Sequence, residues 1–416
     1  MMCRKSSPAG AHLLRPRAVL AWALLAGSLI ACGDVARMDS SERWVGTWST
    51  APMCFRAATI LGLPRTIRFE AQSIRMIVRT SLGGRGVRIK LTNQCGDAPL
   101  EIGGASIGIR DIGPGVHPDT ARALRFAGEA SVAIPAGSTV TSDPVELALP
   151  PLTDLAITLY LPGVVVPQTS HPQAATSYVT GPGDFTNVSE GSPFQTAMSH
   201  WVFLDAVEVL PEGNASAIVA LGDSVTEGTG TTFNANRSWP AFLARRLNGV
   251  NQSRSVLNLG INGNRVLHSL LGDSALVRFD KDVLGQAGVR YVILLEGIND
   301  IGLGSPDVTA EEIIAGYRTL IRRAHDNGLR IFGGTLTPAE GNPYSFYEPY
   351  EESKRVAVNR FIREAGEFDA VIDFAAAVSD PVNPARWRQG FSNDALHPSD
   401  AGAEALAEAI DLALFD

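Results

Sequence analysis

The chain has 416 residues, of which 45% are hydrophobic and 19% charged, and its net charge is −8. That length allows two domains of ordinary size, and the composition is that of a folded chain with no long low-complexity tract and no repeat of fixed period. The acidic balance argues against a nucleic-acid partner held through phosphate contacts.

Residues 1–32 read as an address rather than as structure. Arg4, Lys5, Arg15 and Arg17 make a basic start, and residues 18–30 form a 13-residue apolar core, too short for a comfortable transmembrane helix. The core ends in Leu29-Ile30-Ala31-Cys32, which resembles the lipobox of bacterial lipoproteins. Cys32 is therefore expected to become the lipidated first residue of an exported, membrane-anchored protein. A plain secretory signal with an incidental cysteine is the alternative. Cleavage removes four positive charges and no acidic ones, which leaves −12. Cys3 departs with the segment and Cys54 and Cys95 remain. In an oxidising compartment these two are expected to form one disulfide; two buried free thiols are the alternative.

Residues 41–210 read as a β-rich accessory domain, with a β-sandwich or jelly roll as its natural architecture. Residues 73–91 alternate apolar and polar positions on both sides of Gly83-Gly84, which is a hairpin signal. The segment "LPEGNAS", residues 210–216, marks a boundary, and residues 215–416 follow a different rhythm. Short apolar runs at 218–221, 256–259, 291–295, 330–333 and 370–373 alternate with helical stretches at 239–247, 310–327, 351–365 and 399–414. That is the pattern of a parallel sheet with helices on both faces.

Four segments fall at the carboxyl edge of this sheet, where open α/β sheets place their sites. Gly222-Asp223-Ser224 ends the first strand, "NLGINGN" the second and "LLEGIND" the third, while "DALHP" precedes the last helix. A serine hydroxyl becomes a good nucleophile when a base accepts its proton. His397 is the candidate base, and Asp394, three residues earlier, can fix its tautomer. The Ser224 N–H, the Gly263 N–H and the Asn299 side-chain amide are candidate donors to a developing oxyanion. The bland alternative is that Ser224 is an N-cap.

In this order and spacing the four blocks resemble those of the SGNH hydrolases, also called GDSL esterases and lipases. The resemblance covers roughly residues 215–416. It implies a flavodoxin-like three-layer α/β/α fold and hydrolysis of carboxylic esters, with catalytic Ser224, His397 and Asp394 and no metal or cofactor. The N-terminal half looks, more loosely, like the β-rich extension of some exported members, whose Trp-rich start is similar to "RWVGTWSTAP".

Other readings fare worse. A second Gly-Asp-Ser at Gly272-Asp273-Ser274 follows an irregular stretch, without a glycine four residues after its serine. His268 and His325 lack an Asp-x-x-His loop, and His171 is read as a loop histidine, with a place over the pocket as its alternative. Glu227, Glu296 and Asp300 invite a paired-carboxylate glycosidase reading, which leaves Asp394, His397 and Asn299 unexplained. Asp300 is read as stabilising its turn. The scattered histidines have no metal-ligand spacing.

The expected activity is that of an exported serine esterase acting on short-chain esters, O-acetyl groups on carbohydrate foremost. The alternatives are a lipase or lysophospholipase, a sugar O-acyltransferase, and a carbohydrate-binding lipoprotein with an inactive catalytic domain. Membrane contact is expected only through the lipid anchor. Trp44 and Trp48 are placed either in the core or on sugar rings, and residues 342–352 are aromatic yet acidic, unlike a long apolar lid. The sequence leaves the oligomeric state open.

Overall fold

Seven consecutive buried residues, Ser216–Gly222, form the strand from which the rest of the site is organised. The structure is a computed structural model and describes residues 43–54, 67–303, 308–344, 346 and 348–416. Cys32 and the rest of 1–32 lie outside the described residues. Among the described residues no helix is long and apolar enough to cross a membrane.

Five parallel strands make the sheet of the C-terminal half, in the spatial order Arg254–Gly260, Ser216–Gly222, Val289–Leu295, Arg330–Gly334, Ala370–Ile372. Counted along the chain this is the order 2-1-3-4-5, with its switch point between the strands Ser216–Gly222 and Val289–Leu295. The apolar runs explain the strands, which are largely buried on both faces except at the edge strand Ala370–Ile372, where Val371 is exposed. Helices Trp239–Gly249, Ala310–Asp326 and Pro349–Glu364 stand where the periodicity places them. The last helix is shorter than its pattern: it spans Asp400–Glu408, and a separate 3-10 turn, Leu412–Phe415, follows. Asp411 caps that turn by accepting the Ala413 N–H, so the chain restarts rather than continues.

Residues 45–210 contribute antiparallel strands to one five-stranded, one seven-stranded and one two-stranded sheet. The hairpin expected around Gly83-Gly84 does not form. Strand Phe69–Arg79 pairs with Asp154–Val165 and Thr169–Pro182, while Gly84–Thr92 pairs in the other large sheet with Leu204–Leu210 and Val145–Leu149. The glycines serve close approach instead of a tight turn. A Cβ on Gly83 would run into the Leu149 carbonyl, and one on Gly84 would lie 2.6 Å from the Leu210 carbonyl oxygen.

Residues 43–416 form one compact unit. Gly46 N–H donates to Ala287 O at 2.9 Å, Asn248 Nδ2 to Ser81 O at 2.9 Å, and Lys90 Nζ to Gly285 O at 3.0 Å. The antiparallel strands are thus hydrogen-bonded to the α/β half at several points. Cys54 and Cys95 are joined by a disulfide across 41 residues of sequence. A loop of that length stabilises by roughly 3–4 kcal/mol in the chain-entropy account.

Candidate active site

Gly222 ends the first strand with no room for a side chain: a Cβ would collide with the Thr226 hydroxyl and the Leu295 carbonyl. The chain turns there into a single helical turn, Ser224–Glu227. Its N-cap is Asp223, whose carboxylate accepts the Val225 N–H at 2.9 Å, so the capping role falls to the residue before Ser224. Gly228 closes the turn in the left-handed region, at φ 112°. Asn258, on the neighbouring strand, donates to Thr226 O at 2.9 Å and Glu227 O at 3.2 Å and pins the turn's carboxyl end.

The 394–397 loop brings the imidazole to this serine. Asp394 Oδ1 accepts the backbone N–H groups of Leu396 (3.0 Å) and His397 (2.8 Å), and Ala395 adopts a φ of 59°. A left-handed alanine costs of order 1 kcal/mol, and the Asp394 bonds hold it there. His397 Nδ1 is 2.7 Å from Asp394 Oδ2, and Nε2 is 2.9 Å from Ser224 Oγ. Burial raises the Asp394 carboxyl, but the N–H groups of His397 and Leu396 and the imidazole together outweigh it and hold it below its ordinary value. Ionised Asp394 therefore keeps a hydrogen on Nδ1 and leaves Nε2 free to accept the serine proton.

The two remaining blocks meet beside this pair. Asn299, in the short helix Ile298–Gly302, donates from Nδ2 to Asn264 O at 2.9 Å. Its amide has a second hydrogen to offer. Asp300 accepts Val266 N–H at 2.7 Å and Leu267 N–H at 3.0 Å, which ties the third block to the second. Gly263 has a φ of 71°, a region that favours glycine, and a Cβ there would lie 2.4 Å from Leu271 Cδ1. The backbone N–H groups of Ser224 and Gly263 have no backbone or side-chain acceptor among the described residues.

The second Gly-Asp-Ser leads elsewhere. Ser274 is fully buried before the helix Ala275–Phe279, and its hydroxyl has no hydrogen-bond partner among the described residues. His268 is exposed, and His325 faces Asp369 at 3.0 Å. His171 is not on a loop: it lies buried in the strand Thr169–Pro182, with Nε2 3.2 Å from Glu227. Trp48 packs edge-on against Trp201 at 4.8 Å between ring centroids, and the Arg88 guanidinium lies 4.5 Å over Trp44. Among the described residues no three His, Cys, Asp or Glu side chains are grouped to hold a metal ion.

Sequence reasoning passed over Arg278. Buried beneath the site, it donates to Leu259 O (2.6 Å), Gly222 O (2.9 Å), Asn264 Oδ1 (2.9 Å) and Asp282 Oδ2 (3.1 Å), with Glu296 Oε2 at 3.4 Å. It thereby clamps the ends of the first two parallel strands and the Asn264 loop. Burial drives the Asp223 carboxyl up to about 7 and that of Glu296 up to about 8, against the opposing pull of Arg278. An arginine inside the apolar stretch "ALVRF" is the signal that could have found it.

Residues 220–405 match the model of the GDSL-like lipase/acylhydrolase family. No curated protein matches the chain. Among solved structures, Axe2, an acetylxylan esterase from Geobacillus stearothermophilus, is similar at 24% identity with a TM-score of 0.37, covering 47% of this chain and 93% of its own. A protein assigned to the lipolytic G-D-S-L family from Desulfitobacterium hafniense DCB-2 is 24% identical with a TM-score of 0.37, over 47% and 97%. A GDSL-like lipase from Bacteroides thetaiotaomicron VPI-5482 is 16% identical with a TM-score of 0.38, over 48% and 87%.

Proposed function

With residues 220–405 a GDSL-like lipase/acylhydrolase domain, the protein is a carboxylic ester hydrolase, and we propose that it removes short acyl groups, O-acetyl above all, from carbohydrate. The observation that carries the mechanism is the chain of contacts from Ser224 Oγ to His397 Nε2 (2.9 Å) and from His397 Nδ1 to Asp394 Oδ2 (2.7 Å). Ser224 Oγ attacks the ester carbonyl while His397 Nε2 takes its proton. The oxyanion of the tetrahedral intermediate receives hydrogen bonds from Ser224 N–H, Gly263 N–H and Asn299 Nδ2. Collapse breaks the bond to the alcohol, which leaves with the proton from His397. A water then gives a proton to His397 as it attacks the acyl-enzyme, and collapse releases the acid while His397 returns that proton to Ser224 Oγ.

Ile298, Ala339, Phe346 and Leu396 form a separate buried apolar cluster. Residues 342–352, aromatic yet acidic, favour a short acyl group over a long apolar one. Carbohydrate as the alcohol half is favoured by the polar surroundings, where Asn262 and Thr229 lie next to the serine turn. The antiparallel region is read as an accessory unit of the sandwich or jelly-roll kind.

Export with a lipid anchor at Cys32 belongs to the same proposal. Its supports are the basic start, apolar core and lipobox-like end of residues 1–32, and a Cys54–Cys95 disulfide that needs an oxidising compartment. Turnover of a series of acyl esters from acetyl upward tests the reading. Acetyl esters should be cut fastest and acetylated oligosaccharide faster than lysophospholipid; fastest hydrolysis of long-chain esters would make the protein a lipase.

A further inference from the structure

A cavity of about 570 Å³ lies between the antiparallel strands and the helix Trp239–Gly249, and none of Ser224, Asp394 and His397 lines it. Its volume is in the range of small-molecule sites. Its charge is unusual for this acidic chain, because four guanidinium side chains, Arg79, Arg110, Arg237 and Arg245, line it against two carboxylates, Asp154 and Glu227.

Both carboxylates are already engaged. Asp154 takes Arg79 at 2.9 Å and Arg110 at 3.3 Å. Glu227 takes His171 at 3.2 Å and the Thr229 hydroxyl at 2.9 Å. Among the described residues Arg237 pairs only with Asp400, at 3.5 Å, whose two oxygens each accept from Thr232 at 2.7 Å. Arg245 has no ion-pair partner among the described residues; its Nη1 donates to Asn236 O at 2.9 Å, and its guanidinium lies 4.1 Å from the Phe242 centroid. Burial first, and then the charges of Arg79 and Arg237, push the Arg245 pKa down. Positive charges that repel one another in a partly desolvated space are relieved by an anion, and the guanidinium fork matches a carboxylate.

The cavity also carries rings and borders the site. Trp48 and Trp201 line it, as does Phe233, which is 54% exposed. Gly228 and Gly230 line it as well, and a Cβ on Gly230 would lie 3.0 Å from His397 Cβ. We propose that this cavity binds a carboxylate-bearing sugar unit, so that the ester offered to Ser224 is carried on an acidic polysaccharide. This rests on the ester-hydrolase reading for its place in the reaction, and on the cavity alone for the binding.

The experiment titrates the full protein with non-acylated oligogalacturonate, with a neutral xylo-oligosaccharide of equal length and with inorganic phosphate, read by calorimetry and tryptophan fluorescence. The acidic oligosaccharide should bind about tenfold or more tighter than the neutral one, the scale of one charge-assisted hydrogen bond. Arg245→Gln and the half-exposed Arg237→Gln should each weaken it by a similar factor and leave hydrolysis of 4-nitrophenyl acetate unchanged. Equal binding of acidic and neutral chains, binding of phosphate alone, or full binding by both folded variants overturns the proposal. Acidic-chain binding without any ester hydrolysis would leave the cavity assigned and remove the catalytic reading instead.

Discussion

His171 Nε2 lies 3.2 Å from Glu227 Oε1, and this contact joins a strand of the antiparallel region to the helical turn that carries Ser224. His171 Nδ1 is 3.0 Å from the Ala51 carbonyl, which only accepts, so that nitrogen bears hydrogen. A carboxylate oxygen facing the other nitrogen requires a second proton in the pair. From Glu227 the bonds run on through the Thr229 hydroxyl (2.9 Å) to Asn262 Nδ2 (3.0 Å), the residue before Gly263. His171→Phe should lower kcat on a small acetyl ester by about tenfold or more with little change in KM, since breaking a buried pair strands one charge. His171→Gln, whose amide can still donate to Glu227, should recover most of the loss. Equal kcat in all three proteins would reduce the contact to packing.

The two Gly-Asp-Ser serines should behave differently. Ser224→Ala should lose at least about a thousandfold in kcat/KM while the protein stays folded, because the attacking oxygen is gone. Ser274→Ala should stay close to wild type, since the buried Ser274 hydroxyl has no hydrogen-bond partner among the described residues. Steady-state kinetics and a melting curve for both variants check this. A reversed outcome moves the nucleophile to the other serine.

Asn299→Ala should lower kcat by roughly 100- to 1,000-fold and change KM much less, the pattern of a lost oxyanion donor. Part of any loss comes through Asn264, whose carbonyl Asn299 holds at 2.9 Å. Asn299→Asp loses both hydrogen bonds as well, because a carboxylate only accepts. Its carboxylate keeps the size but supplies no donor, so activity should stay as low as in the alanine variant. Activity near wild type in either variant removes Asn299 from the oxyanion site.

The parallel strands and the Ser224, Asp394 and His397 positions were legible because each is encoded locally. A buried strand writes an apolar run, and the Asp394-to-His397 contact spans one short loop. What the sequence hid depends on distant partners. Gly83-Gly84 resembles a hairpin turn until Leu149 and Leu210 are known to press against it. His171 meets Glu227 across 56 residues of chain, and no pattern announces such a meeting. One-turn helices such as Ser224–Glu227 and Ile298–Gly302 are too short to show a period. Arg278 belongs to no motif, and its partners are the carbonyls of two strand ends.

Glu296 and Asp223, by the serine turn, and Asp205, on the strand Leu204–Leu210, predict an inverted pH dependence of stability. Burial raises Glu296 to about 8, Asp223 to about 7 and Asp205 to about 6, while the unfolded carboxyls titrate near 4. Between pH 4 and those values the folded protein holds protons that the unfolded chain has released. Stability is therefore fully present at the low end of this window and falls as pH rises, by up to ~1.4 kcal/mol per pH unit for each group until it ionises in the folded state. Asp394 and Asp373 are shifted the other way, and their contribution is lost on acidification below the window. The melting temperature should thus decline from pH 5 to pH 8. Glu296→Gln places a permanently neutral side chain beside Arg278, which keeps Asp282 at 3.1 Å. That variant should flatten the decline and melt higher than wild type at pH 8. A wild-type melting temperature that rises across the window, or an unchanged slope in Glu296→Gln, would mean that Glu296 is ionised in the folded protein and that Arg278 holds it so.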